Sequence, residues 1–232
     1  MERMRALPAV LALGLLAACT PRAVIPDSER EKVREELDGR PRWLRVAVYA
    51  APFWEDRSKL LLSDAPLADL DLVERTDGTP IAPPPAERIL VPGTPLRLVQ
   101  VEFPSGWIIA KRVVVTPRYH PWALLEQAGE KRTPVIVLSQ TAVTVDEVRT
   151  ELDRILATDD PSSLYAALPQ EQRDAIARKE LVEGMSPRAA EMAWGLPERR
   201  RIDRPAATEE WTWPGGKRRA FFQDDRLQRW EK

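Results

Sequence analysis

The sequence predicts an α+β protein: a small β-barrel or sandwich, then helices, then a closing layer of two helices and three strands (ααβββ). Three observations predict it. Short apolar runs broken by turn residues fill positions 42–128, as in strands. From residue 144 the apolar period lengthens to about 3.6, as in helices. From Glu210 strand-like runs return, so helices precede strands instead of alternating with them. The expected boundaries are 1–18 (signal peptide), 19–41 (tether and short helix), 42–135 (β domain), 136–167 (helical linker) and 168–232 (helix-and-strand layer).

Residues 1–19 read MERMRALPAVLALGLLAAC. Arg3 and Arg5 precede an apolar run from Ala6 to Ala18, which is short for a bilayer span of about 30 Å and fits a signal peptide. The run ends in Leu16-Ala17-Ala18-Cys19, and Cys19 is the one cysteine of the chain. This ending resembles a bacterial lipobox. The resemblance implies cleavage between Ala18 and Cys19, acylation of Cys19 and a membrane anchor of two or three acyl chains. Thr20 in place of Asp implies, by the same analogy, the periplasmic face of the outer membrane.

Residues 20–27 carry two prolines and read as a tether. Ser28 and Glu31 have capping-box spacing, and Gly39 with Pro41 marks a stop. The intervening helix has only Val33 and Leu37 as apolar residues, so it reads either as weakly packed or as a solvated spacer.

In the β part, Trp43–Tyr49, Arg88–Val91, Leu96–Phe103 and Trp107–Val115 read as strands. Val99, Val101 and Phe103 are expected on one face, joined by the stem of Arg97. Pro104-Ser105-Gly106 is expected to turn the last two strands into a hairpin. Leu90–Leu98 resembles the strand entry of bacterial SH3-like barrels. The loop Thr116–Trp122 gathers Tyr119, His120 and Trp122 between prolines. It reads as a recognition loop or as a packed aromatic corner with a satisfied histidine.

Thr144 and Glu147 form a second capping box, opening a helix over 145–157 with Val145, Val148, Leu152, Ile155 and Leu156 on one stripe. Further helices are expected after Asp160-Pro161, after Leu168-Pro169 and after Ser186-Pro187, the last closed by Gly195. A hairpin pairs Glu210–Trp213 with Arg219–Phe222, and Asp224-Asp225 turns into a third strand.

The stretch LVEGMSPRAAEMAWGLP, residues 181–197, resembles the SmpA/OmlA domain, also called BamE-like. The resemblance rests on Gly184, Met185, Ser186, Gly195 and Pro197, then on Trp211 and Trp213 in Glu-Glu-Trp-Thr-Trp and on Phe221-Phe222. It covers roughly residues 168–231. These positions read as fold residues: Ser186 caps, Gly195 ends the helix, and the two tryptophans cover Ala189, Ala190, Met192 and Ala193. The resemblance implies an outer-membrane lipoprotein in envelope assembly, without catalysis.

Composition bounds the function further. Lys plus Arg total 35 and Asp plus Glu 36, so no strongly basic balance invites nucleic acid. One cysteine and one histidine leave no internal disulfide and no thiolate zinc site. No G-x-S-x-G, H-E-x-x-H or glycine-rich phosphate loop is present. The expectation is therefore a non-enzymatic protein with no cofactor and no metal. Its partners are the membrane, through the anchor, and either outer-membrane assembly proteins or peptidoglycan. The peptidoglycan alternative uses the β domain as an SH3-like reader.

Overall fold

The computed structural model describes residues 25–232. Ala18 and Cys19, with the whole segment expected to be a signal peptide, lie outside the described residues. Among the described residues there are six helices and two sheets, of eight and four strands, so the protein is α+β.

The larger sheet comprises β1 (Pro41–Leu44), β2 (Val48–Phe53), β3 (Asp56–Ser63), β4 (Arg88–Leu90), β5 (Pro95–Glu102), β6 (Trp122–Glu126), β7 (Thr133–Val137) and β8 (Leu156–Ala157). Its order is β4-β2-β3-β7-β6-β5-β1-β8. All pairs are antiparallel except β3 with β7. One face carries Leu44, Val48, Leu60, Leu62, Leu98, Leu125 and Ile136, all buried.

Helix α1 (Asp27–Glu36) and helix α3 (Val145–Ile155) cover that face. Val33 and Leu37 are only 1% and 2% exposed and join the core with Val148 and Leu152. The short helix is thus neither weakly packed nor a spacer, because two apolar residues four apart share one face and that face meets α3. Its start differs as well. The helix begins at Asp27 after Pro26, without a side-chain cap, which puts Ser28 inside it. The box expected at α3 is present, with the Thr144 hydroxyl accepting from the Glu147 amide and the Glu147 carboxylate accepting from the Thr144 amide. Within 136–167, α3 belongs to the core and β8 extends the sheet.

Two strand expectations are corrected. Residues 43–49 do not run as one strand: the chain leaves β1 after Leu44 and re-enters the sheet as β2, in a different position. Residues 107–115 are not a strand, and no 104–106 hairpin forms. Gly106–Lys111 is helix α2, capped by Ser105, whose hydroxyl accepts from the Ile108 amide. Both edges of β5 are already taken, by β1 and β6, so no ladder remains for a third partner. The facing within β5 also differs. Leu96 and Leu98 point inward with Val101 and Phe103 because the register slips between Leu98 and Gln100. One extra residue at Val99 reverses the alternation.

The tail holds α4 (Ser162–Ala166), α5 (Gln170–Ala177) and α6 (Pro187–Trp194), then β9 (Arg199–Asp203), β10 (Thr208–Thr212), β11 (Arg219–Gln223) and β12 (Arg226–Glu231). The strands form an antiparallel meander ordered β12-β11-β10-β9. It has four strands where three were expected. Residues 199–203, Arg-Arg-Arg-Ile-Asp, are exposed throughout and carry no buried alternation to announce a strand. Asp224 and Asp225 both have positive φ, the geometry that tight hairpin turns require.

Candidate functional site

The motif residues of the tail converge on one junction. The Ser186 hydroxyl accepts from the Ala189 amide, Pro187 opens α6, and Gly195 closes it at φ 84°. Gly184 is also at positive φ, in the turn before Met185, which is fully buried. Trp211 and Trp213 are buried on the sheet face that meets α6. Trp194, which sequence reasoning did not single out, meets Trp213 edge to face at 5.1 Å. The Trp213 indole donates to the Gly195 carbonyl at 3.1 Å. Pro197 follows Gly195 and keeps the helix from continuing. These residues build the layer and bind its helix to its sheet.

The junction also joins the two sheets. Ala47, in the break between β1 and β2, belongs to the same apolar cluster as Trp194 and Trp211. Its amide donates to the Met192 carbonyl at 2.7 Å. Its carbonyl accepts from the Lys179 amine at 2.6 Å, and that amine also donates to the Ala193 carbonyl at 3.0 Å. The Lys179 carbonyl in turn accepts from the Trp194 indole. Lys179 is 3% exposed, and burial pushes its pKa down to about 7, against a smaller opposing pull from Asp64. The neutral amine has two N–H groups for two carbonyls, so both of its donors are paired there. No motif flagged Lys179; in sequence it is one more charged residue after α5.

Arg218 lies against the same aromatic faces, its guanidinium carbon 5.5 Å from the Trp194 ring centre and 5.8 Å from that of Trp213. Burial lowers its pKa too, with Asp64 as the main opposing charge. A cleft of about 570 Å³ opens beside this junction, lined by Arg45, Asp159, Asp160, Arg188 and Glu191 among others. Asp160 is committed within it: its carboxylate accepts from the amide and hydroxyl of Ser162, which holds its pKa below the usual range.

The loop at residues 116–122 is a packed corner. Trp122 is buried and donates its indole N–H to the Pro117 carbonyl. Arg112 stacks over that ring at 3.5 Å, donates to the carbonyls of Arg118 and His120, and pairs with Glu102 at 2.7 Å. His120 Nδ1 lies 2.9 Å from the Leu138 carbonyl and Nε2 lies 3.0 Å from the Gln140 amide nitrogen. A carbonyl can only accept, so Nδ1 carries the proton and Nε2 accepts. Burial lowers the pKa of His120, which keeps it neutral. His120 and Trp122 are therefore fold residues.

Tyr119 alone of the three faces a groove. The groove holds about 380 Å³ and is lined by Ile25, Arg30, Phe103, Ile109, Tyr119 and Val143, with neighbours. It brings the start of the described chain against α2. Among the described residues, no three His, Cys, Asp or Glu side chains are grouped to hold a metal ion, and no helix is long and apolar enough to cross a membrane. Compared with protein-family models, with curated proteins and with solved structures, the chain matches none.

Proposed function

We propose that this chain is a lipid-anchored envelope lipoprotein on the periplasmic face of the outer membrane. It acts as a non-enzymatic interaction module in outer-membrane assembly. The observation that carries the reading is the position of the one cysteine, directly after Leu16-Ala17-Ala18 at the end of the apolar run. Folded structure is in place by Ile25, which is buried, only six residues beyond Cys19. A fold that begins so soon after an anchor works close to the membrane surface.

The tail is taken as the SmpA/OmlA-like layer, on the strength of the Ser186 cap, the Gly195 terminus and the Trp211 and Trp213 pair. The larger sheet is then the added unit that gives the protein a second surface, and the SH3-like reading of it is the peptidoglycan alternative.

The test is mass analysis of the mature N-terminal peptide, with fractionation of Cys19→Ala. Acylated Cys19, and release of the variant from the membrane fraction, are the expected results. An unmodified Cys19 overturns the anchor. A pull-down of the full lipidated chain from solubilised envelopes is expected to enrich an outer-membrane barrel or assembly component. Enrichment of none, with binding to purified sacculi instead, moves the function to the cell wall.

A further inference from the structure

Helix α2 carries an apolar run at the protein surface. It reads Gly-Trp-Ile-Ile-Ala-Lys, and none of its six residues is buried. Trp107 is 69% exposed, and Val114, just beyond the helix, is 71% exposed. Ile108 and Ile109 are half-buried, whereas Trp107 and Val114 leave apolar surface to water whose burial against a water-free surface would be favourable.

The surroundings indicate what covers them. Ile109 of α2 lines the same groove as Ile25. Ile25 is six residue steps from Cys19, a reach of roughly 20 Å at full extension. One cation lies against Trp107, and a second lines the groove beside Ile109. Lys111 holds its amine 4.3 Å from the Trp107 ring centre, on a stem long enough to extend toward headgroups. Arg30 lines the groove, and its Nε is enclosed with no hydrogen-bond partner among the described residues. An amphipathic indole beside a flexible amine suits the boundary between headgroups and acyl chains.

We infer that α2, with Trp107 inserted at the acyl boundary and Lys111 and Arg30 toward the headgroups, is a second membrane contact that lays this face of the protein on the bilayer. The inference deepens the anchor reading and rests on it for proximity. It adds an orientation: the α2 face, with the groove beside it, lies toward the membrane.

The test uses the full lipidated protein in vesicles of phosphatidylethanolamine with a minor share of phosphatidylglycerol and brominated acyl chains, which quench indole emission on contact. The chain has eight tryptophans. Trp107→Phe removes the one on α2 at an exposed position, so the fold is retained, as a circular dichroism melt checks. The expected result is a quenching increment in the parent protein that Trp107→Phe lacks. Equal quenching of the two overturns the inference, and so does a protein occupant of α2, which would shield Trp107 from bromine.

The mass of the Cys19 peptide in the same sample reports the anchor separately. If Cys19 carries no lipid, both proteins are held on the same vesicles by an N-terminal histidine tag and a nickel-chelating lipid. The increment in that setting supports the α2 contact although the anchor reading has failed, and its absence overturns the contact.

Discussion

Lys179 shows how one residue can couple protonation to the whole fold. Its pKa is about 7 in the folded protein and returns to the ordinary lysine value near 10.5 on unfolding. Between those values the unfolded chain holds a proton that the native state lacks. Stability therefore rises with pH across that window, by at most about 1.4 kcal/mol per pH unit. Below it both states are protonated, and the native state bears the full penalty of a buried charge. Urea midpoints taken between about pH 7 and pH 9 are expected to climb in the parent protein and to stay flat in Lys179→Met. At the upper end the variant is expected to be less stable by about 1–3 kcal/mol, because the Ala47 and Ala193 carbonyls lose their donor. His120 gives the contrasting case: already neutral and bonded at both ring nitrogens, it is a fold residue and leaves Tyr119 as the loop's contribution to the groove.

At the scale of the element, α6 is set by its two ends. Ser186→Ala is expected to lower stability by about 1 kcal/mol through loss of the cap, read from thermal or urea unfolding. Gly195→Ala meets two obstacles. Its φ of 84° and ψ of 178° fall in a region that side chains strain by roughly 1–3 kcal/mol, and a Cβ there would lie 2.6 Å from Asp64 Oδ2. Adding Asp64→Ala is expected to recover the contact part of that loss and not the backbone part, a non-additivity that a double-mutant cycle measures. These ends were legible in the sequence because caps and terminators act over three or four residues. So were α3 with its Thr144–Glu147 box and the Trp211 and Trp213 face. What was illegible depended on distant partners. Trp107–Val115 is rich in β-branched residues and reads as a strand, yet β5 has no free edge, and Arg112 is fixed by Glu102, Trp122 and two carbonyls. Strand β9 gave no signal, because its exposed arginines pair through backbone with β10 alone. Lys179 has no local signature at all, since its meaning lies in Ala47, far away in sequence.

Across the whole molecule, the seam makes two sheets into one cooperative body. Ala47 donates its amide to the Met192 carbonyl of α6 and accepts from the Lys179 amine, and Arg154 donates to the Leu196 carbonyl at 3.0 Å. A single unfolding transition is expected, with calorimetric and van't Hoff enthalpies equal. Two resolved transitions would mean that the sheets unfold independently.

The same seam has a consequence for how the chain is made. Synthesis proceeds from the N-terminus, so the β1–β2 break emerges long before α6. The Lys179 bond to Ala47 spans 132 positions. The Ala47 carbonyl has no Lys179 to meet until residue 179 is made, its amide has no Met192 until residue 192 is made, and until then the apolar surface around them is open. Premature docking of that surface on a neighbouring nascent chain is the hazard specific to this topology. The interval before closure is set by the speed of chain synthesis, and that is the interval in which an escorting chaperone would be needed.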